Sequence, residues 1–368
     1  MTETGAGRDG GLKGRLAEIL KANAHRRDCE RTGKAVSTGT QAKRWNVIFN
    51  AFETLRHELG YPLKNPDNFR LKHMLALVAY WEEKGLSPAT IQNNISIMRL
   101  FAGWIGKRGM IPATESLVSS PEKGRRSYAA ARDKSWSGAG VDVKGQLALV
   151  SREDPRVGMQ MELELAFGLR AEEAWKLKPK YDVSAVPAEG GVVELLTVLS
   201  GTKGGRHRLV VIRSEEQRET LRRAVEMAGG GSMIPPGHTE KEWRNRYYWV
   251  LRKLGVTRKA MGATSHGLRH EFVNAQYKER LGIEPPVRGG GDTGLSRDEA
   301  NREKRQLAEE LGHSRTSIVT AYSGSKRSVK KPRLDWGVKP GSGSENKPDS
   351  GSECGTDGQP GATPDPQD

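Results

Sequence analysis

The chain has 368 residues, with 60 Lys and Arg against 45 Asp and Glu, a formal net charge of +15. It holds no apolar run long enough for a spanning helix or a secretory signal, and its two cysteines, Cys29 and Cys354, exclude a disulfide framework or a Cys-based zinc site. Such a basic chain suits a polyanionic partner, nucleic acid ahead of an anionic membrane surface.

Residues 1–40 read as a flexible basic N-terminal arm. Within it, Leu12, Leu16, Ile19 and Leu20 recur at helical spacing over residues 12–24, and a basic stretch runs from His25 to Arg44. Residues 41–111 read as a small helical domain. Trp45, Ile48, Phe49, Phe52 and Leu55 share one face of a helix over 41–59. Leu71, Met74, Leu75, Val78 and Trp81 do the same over 69–84. Ser87-Pro88 opens a third helix, Ser as N-cap and Pro at the first position. Residues 112–142, broken by Pro and Gly and basic in the middle, read as a linker.

A second, mixed α+β domain is expected over 143–336. It has an apolar helix at 156–168 and two strands, 192–199 and 207–212, joined by a Gly-rich turn. Helices follow at 215–228, 240–254, 265–281, 297–311 and 315–322, with an irregular insert at 284–296. Residues 337–368 hold seven Gly, five Pro and a net charge of −4, and read as a disordered acidic tail. The fold class is therefore mainly α with a small β-hairpin or sheet, in two domains.

Four stretches of the second domain carry chemistry. They are Gly168-Leu169-Arg170-Ala171-Glu172-Glu173, Thr202-Lys203-Gly204-Gly205-Arg206, Ser265-His266-Gly267-Leu268-Arg269-His270, and Leu311-Gly312-His313 with Tyr322 nine residues after the His. Singly, each has an ordinary reading. Arg170 fits a solvated helix-start charge, Lys203 a hairpin lysine, His266 and His313 satisfied core histidines, and Tyr322 a packing tyrosine. His270 and Trp243 read as structural. Opening a phosphodiester without metal needs a nucleophile, cations for the non-bridging oxygens and a proton for the leaving oxygen. Two arginines with planar donor forks, a lysine on a turn, two histidines and a tyrosine meet that need.

Jointly and in this order, the four stretches resemble the tyrosine recombinase family, which includes phage integrases and the Xer and Cre recombinases. The first domain is similar to that family's helical core-binding domain, most of all over SPATIQNNISIMRLFAGWI. The resemblance implies that Arg170, Arg269 and His313 stabilise a pentacoordinate phosphorane, and that His266 assists proton movement at the nucleophile. It also implies Lys203 as the general acid, Tyr322 as the nucleophile, and Glu173 as the brace of the active-site arginine. Tyr277 is the competing nucleophile, and Lys178, Lys180 and Arg206 are the competing acids.

The implied activity is site-specific DNA integration or excision with no metal and no other cofactor. The implied partners are double-stranded DNA, a homotetramer on two DNA sites and accessory DNA-bending proteins, with no membrane, in a bacterial cytoplasm at the nucleoid. A type IB topoisomerase and a catalytically idle DNA-binding protein of the same fold are the rivals. One departure from compact family members is the longer stretch from Arg269 to His313, which contains the 284–296 insert.

Overall fold

The structure is a computed structural model and describes residues 11–26, 35–188 and 191–329. In chain order, its helices begin with α1 (Leu12–Asn23), α2 (Thr38–His57), α3 (Leu71–Glu83) and α4 (Pro88–Trp104). A short α5 (Pro121–Gly124) leads to α6 (Val143–Glu153), α7 (Pro155–Phe167) and α8 (Ala171–Lys176). Three strands follow, β1 (Val183–Ala188), β2 (Gly191–Val198) and β3 (Arg208–Val211). The remaining helices are α9 (Glu215–Ala228), α10 (Glu240–Lys253), α11 (Arg258–Met261), α12 (His266–Leu281), α13 (Arg297–Glu310), α14 (Thr320–Ser323) and α15 (Lys326–Val329).

Helices α1 to α4 enclose one core. Phe52, Phe69 and Phe101 meet at its centre, Phe52 and Phe101 edge to face with ring centroids 5.3 Å apart. The Ser87 hydroxyl accepts from Thr90 N, as its N-cap position requires. The segment expected as a flexible arm contributes to this core. Leu12, Leu16, Ile19 and Leu20 are buried, and Arg44 of α2 donates to the carbonyls of Ala24 and Arg26, both at 2.7 Å. The helical spacing of those four residues is the physical reason, because an amphipathic helix next to an apolar core buries its stripe.

The expected linker is also partly packed. Ile111 and Leu117 join the helical core, and Trp136 is fully buried in a second core. The Gly and Pro residues break this stretch into short helical turns and irregular backbone, which still packs where a large aromatic anchors it. The expected tail, 337–368, lies outside the described residues.

Helix α7 is the axis of the second part of the chain. Met159, Leu163 and Phe167 face a core shared with β2, β3, α12 and α13, while Val157 and Met161 face another built with α10 and Trp136. A helix buried on two sides must satisfy its polar residues internally. Gln160 donates to Met233 O at 2.8 Å and accepts from Trp243 Nε1 at 3.1 Å, and Glu164 accepts from the Tyr247 hydroxyl. Trp243 is thus structural, as read from the sequence.

The sheet is antiparallel in the order β1-β2-β3, with Val186 opposite Val193 and Leu196 opposite Val210. Strand β1 is an addition to the two strands expected. It is an edge strand, mostly exposed, and Pro187 interrupts its donor row, so no alternation marks it in the sequence. No helix among the described residues is long and apolar enough to cross a membrane.

Candidate active site

Gly168 ends α7 in the left-handed conformation, φ +59°, and a Cβ there would lie 2.4 Å from a ring carbon of Phe272. Only glycine fits that turn. The turn places Arg170 at the start of α8 and aims the Gly168 carbonyl at α12, where Arg269 donates to it. Helix α12 begins at His266, so His266 and Arg269 lie one turn apart on the same side.

Glu173 is the hub. It is fully buried, and its carboxylate accepts from Arg170 N at 2.8 Å and pairs with the Arg170 guanidinium. The same carboxylate pairs with Arg208 at 2.6 Å and faces Arg269 at 3.7 Å. Burial pushes the Glu173 carboxyl up, but Arg208, Arg170 and Arg269 outweigh it and hold it below the usual carboxylate range. Three guanidiniums around one carboxylate leave an excess of two positive charges.

Arg208 is a residue the sequence reading missed. It is buried in β3 and also donates to the carbonyls of Glu310 and, at 3.4 Å, Gly168. It therefore ties the Gly168 turn to the chain entering His313. Burial, then repulsion from Arg269, lowers its pKa to about 10, so it stays charged at neutral pH. In HRLVVI a lone arginine looks like an outward strand residue, and only the tertiary position of Glu173 reveals its role.

The outer donors converge on one side. Arg170 Nη2 donates to His313 Nε2 at 3.1 Å, which fixes the His313 proton on Nδ1 in the neutral ring. Arg269 is fully buried, donates from Nε to the Tyr322 hydroxyl at 3.0 Å and from Nη2 to Leu311 O at 2.8 Å. The His266 ring lies 6.0 Å from the Tyr322 ring. Desolvation by the surrounding protein atoms, with Arg269, Arg170 and Lys134 nearby, holds His266 well below the usual histidine range, although the residue as a whole is exposed. His266 is therefore neutral at pH 7 and able to take a proton.

Arg170, Glu173, His266, Arg269, His313 and Tyr322 thus converge on one region. Lys203 lies in the turn between β2 and β3, a single 3₁₀ turn with Gly204 and Gly205 both at positive φ. Its side chain lies outside the described part of the structure. The competing nucleophile, Tyr277, is buried two turns further along α12, with the Lys304 ammonium 6.0 Å from its ring centroid. His270, read as a structural residue, packs against the Tyr322 ring at 4.8 Å.

Residues 132–275 match the family model described as Integrase. Among solved structures, a lambda integrase dimer bound to a COC′ core site has a TM-score of 0.52 at 15% identity, covering 89% of this chain and 81% of that one. A lambda integrase tetramer bound to a Holliday junction matches with the same figures. The Tn1549 transposon integrase in complex with transposon right-end DNA has a TM-score of 0.50 at 13% identity, covering 86% of this chain and 96% of that one. A search of the curated proteins gives no match.

Proposed function

We propose that this chain, whose residues 132–275 match the family model described as Integrase, is a tyrosine recombinase that breaks and rejoins DNA at a specific site through a 3′-phosphotyrosyl link. The observation that carries the reading is the Arg269–Tyr322 contact at 3.0 Å, in a region where three guanidiniums share one carboxylate.

A phosphodiester carries one negative charge, and the pentacoordinate phosphorane carries two. An excess of two positive charges complements the second better than the first, so the stabilisation grows toward the transition state. Arg170 and Arg269 bind the non-bridging oxygens with His313. Tyr322 attacks phosphorus, and His266 takes the phenolic proton. The bond to the 5′ oxygen breaks as Lys203 protonates it, leaving a 3′-phosphate on Tyr322. The reverse attack by a 5′ hydroxyl reseals the strand, so the bond energy is conserved in the link. Double-stranded DNA is the partner, and the lambda integrase tetramer on a Holliday junction supports a four-protomer assembly on two sites.

The test uses a nicked duplex selected from a random-sequence library by covalent capture. The full chain should form a denaturation-resistant adduct with it, and Tyr322→Phe should bind it without forming one. An adduct that persists in Tyr322→Phe would refute the assignment.

A further inference from the structure

The stretch 130–137, expected as linker, crosses the active site from behind as a strap. Ala130 N donates to Thr320 O of the nucleophile's helix at 2.8 Å, and the Ser328 hydroxyl donates back to Ala130 O at 2.9 Å. Asp133 accepts from Arg288 Nε at 2.7 Å and from Asn274 Nδ2 at 3.1 Å. Ser135 accepts from Arg288 Nη2 at 3.0 Å. Trp136 is fully buried and donates from Nε1 to Thr264 O at 2.8 Å. A Cβ on Gly267 would lie 2.9 Å from Lys134 O and 2.6 Å from the Trp136 ring, so the strap lies directly on the first turn of α12. Arg288 belongs to the 284–296 insert, so that departure from compact family members serves to latch the strap.

Of residues 133–136, three are tied down by side-chain contacts. Lys134 is the exception, with no acidic partner among the described residues; its charged surroundings are Arg258 and Arg132. It lines a cavity of about 460 Å³ with Arg258, His266, His270 and Tyr322, and Arg258 likewise has no acidic partner among the described residues. A lysine whose backbone is locked on both sides, facing cations and a nucleophile with no counter-charge, is arranged to receive an anion.

We propose that Lys134 is a further phosphate-binding residue of the active site, donating to a DNA phosphodiester oxygen on the Tyr322 side with Arg258 beside it. The inference rests on the recombinase reading above and deepens it. The oxygen belongs to the scissile phosphate or to its neighbour along the strand, and the two sources are separable by experiment. In either case the strap makes the interdomain connection part of the reaction centre.

The test uses the full chain and the captured nicked duplex, with single phosphates around the break replaced by uncharged methylphosphonates. Lys134→Ala and Lys134→Gln should slow adduct formation about 10–100-fold, the range of one charge-assisted hydrogen bond, and Lys134→Arg should recover most of the loss. Melting temperatures should stay with the parent, since the Lys134 side chain is exposed. The slope of log affinity against log salt should fall by about 0.9 in Lys134→Ala, one phosphate contact fewer. At one phosphate, the methylphosphonate should slow the parent and leave Lys134→Ala no slower than before; its position identifies which phosphate Lys134 holds. Additive effects at every phosphate, or an unchanged salt slope, would overturn the inference while the parent's adduct stands. No adduct from the parent would overturn the recombinase reading and this inference with it.

Discussion

Glu173→Gln is the most informative perturbation of the site's framework. The amide keeps the size of the carboxylate and can still accept from Arg170 N, but it removes the one negative charge among Arg170, Arg208 and Arg269. Its NH₂ must also face a guanidinium. Removing one partner of a buried ion pair typically costs about 3–5 kcal/mol, because the remaining charges stay buried without compensation. For a folded part of this size, each kcal/mol moves the melting temperature by roughly 2–4 °C, so the variant should melt about 6–20 °C lower at pH 7. The folded-state pKa of Glu173 lies below its unfolded value. Its stabilisation is therefore complete above the unfolded carboxylate pKa and is lost as pH falls through the folded one. The gap between parent and variant in thermal melts should accordingly be full at pH 7, shrink as pH falls below the unfolded carboxylate pKa of about 4.3, where the unfolded chain binds the proton first, and level off once Glu173 binds it in the folded parent. A gap that is absent at pH 7, or that does not change with pH, would refute the hub role of Glu173.

Other outcomes follow from the same geometry. Lys203→Ala should cut adduct formation about 10²–10⁴-fold on ordinary DNA and be largely rescued when sulfur replaces the bridging 5′ oxygen, since a thiolate leaves without a proton; equal defects on both substrates would remove Lys203 as the acid. Arg170→Ala and Arg269→Ala should be rescued much less by that sulfur, because their oxygens remain. Arg208→Met should lower the melting temperature as Glu173→Gln does, and the double variant should cost less than the two combined, since both break one pair; strict additivity in melts would separate them. Deleting residues 337–368 should leave cleavage intact and tighten DNA binding slightly by removing a net charge of −4, checked by binding titrations of full and shortened chains.

The sequence announces elements whose signals are local. The helix after Ser87-Pro88 and the helix α10 after Thr239 carry their caps and apolar spacing within a few residues. The convergence of Arg170, His266, Arg269, His313 and Tyr322 was legible because they stand in a family-like order along the chain. What depends on tertiary placement was not legible. Strand β1 has no alternation and an interior proline. Arg208 needs Glu173 opposite it before its burial makes sense. The strap reads as linker because Gly and Ser surround Trp136, although a buried aromatic in such a stretch is the one signal that it packs. Helix α1 shows its apolar spacing clearly, and only the presence of Arg44 beneath its end shows that it joins the core.

The central claim, that Tyr322 bonds covalently to the DNA 3′ phosphate, is tested most directly by mapping the adduct. The captured complex is digested with protease and nuclease, and the nucleotide-bearing peptide is sequenced by tandem mass spectrometry. The account expects a 3′-phosphonucleotide on Tyr322, in the peptide spanning Thr316 to Lys326. A nucleotide on Tyr277, or one joined through its 5′ phosphate, would contradict it.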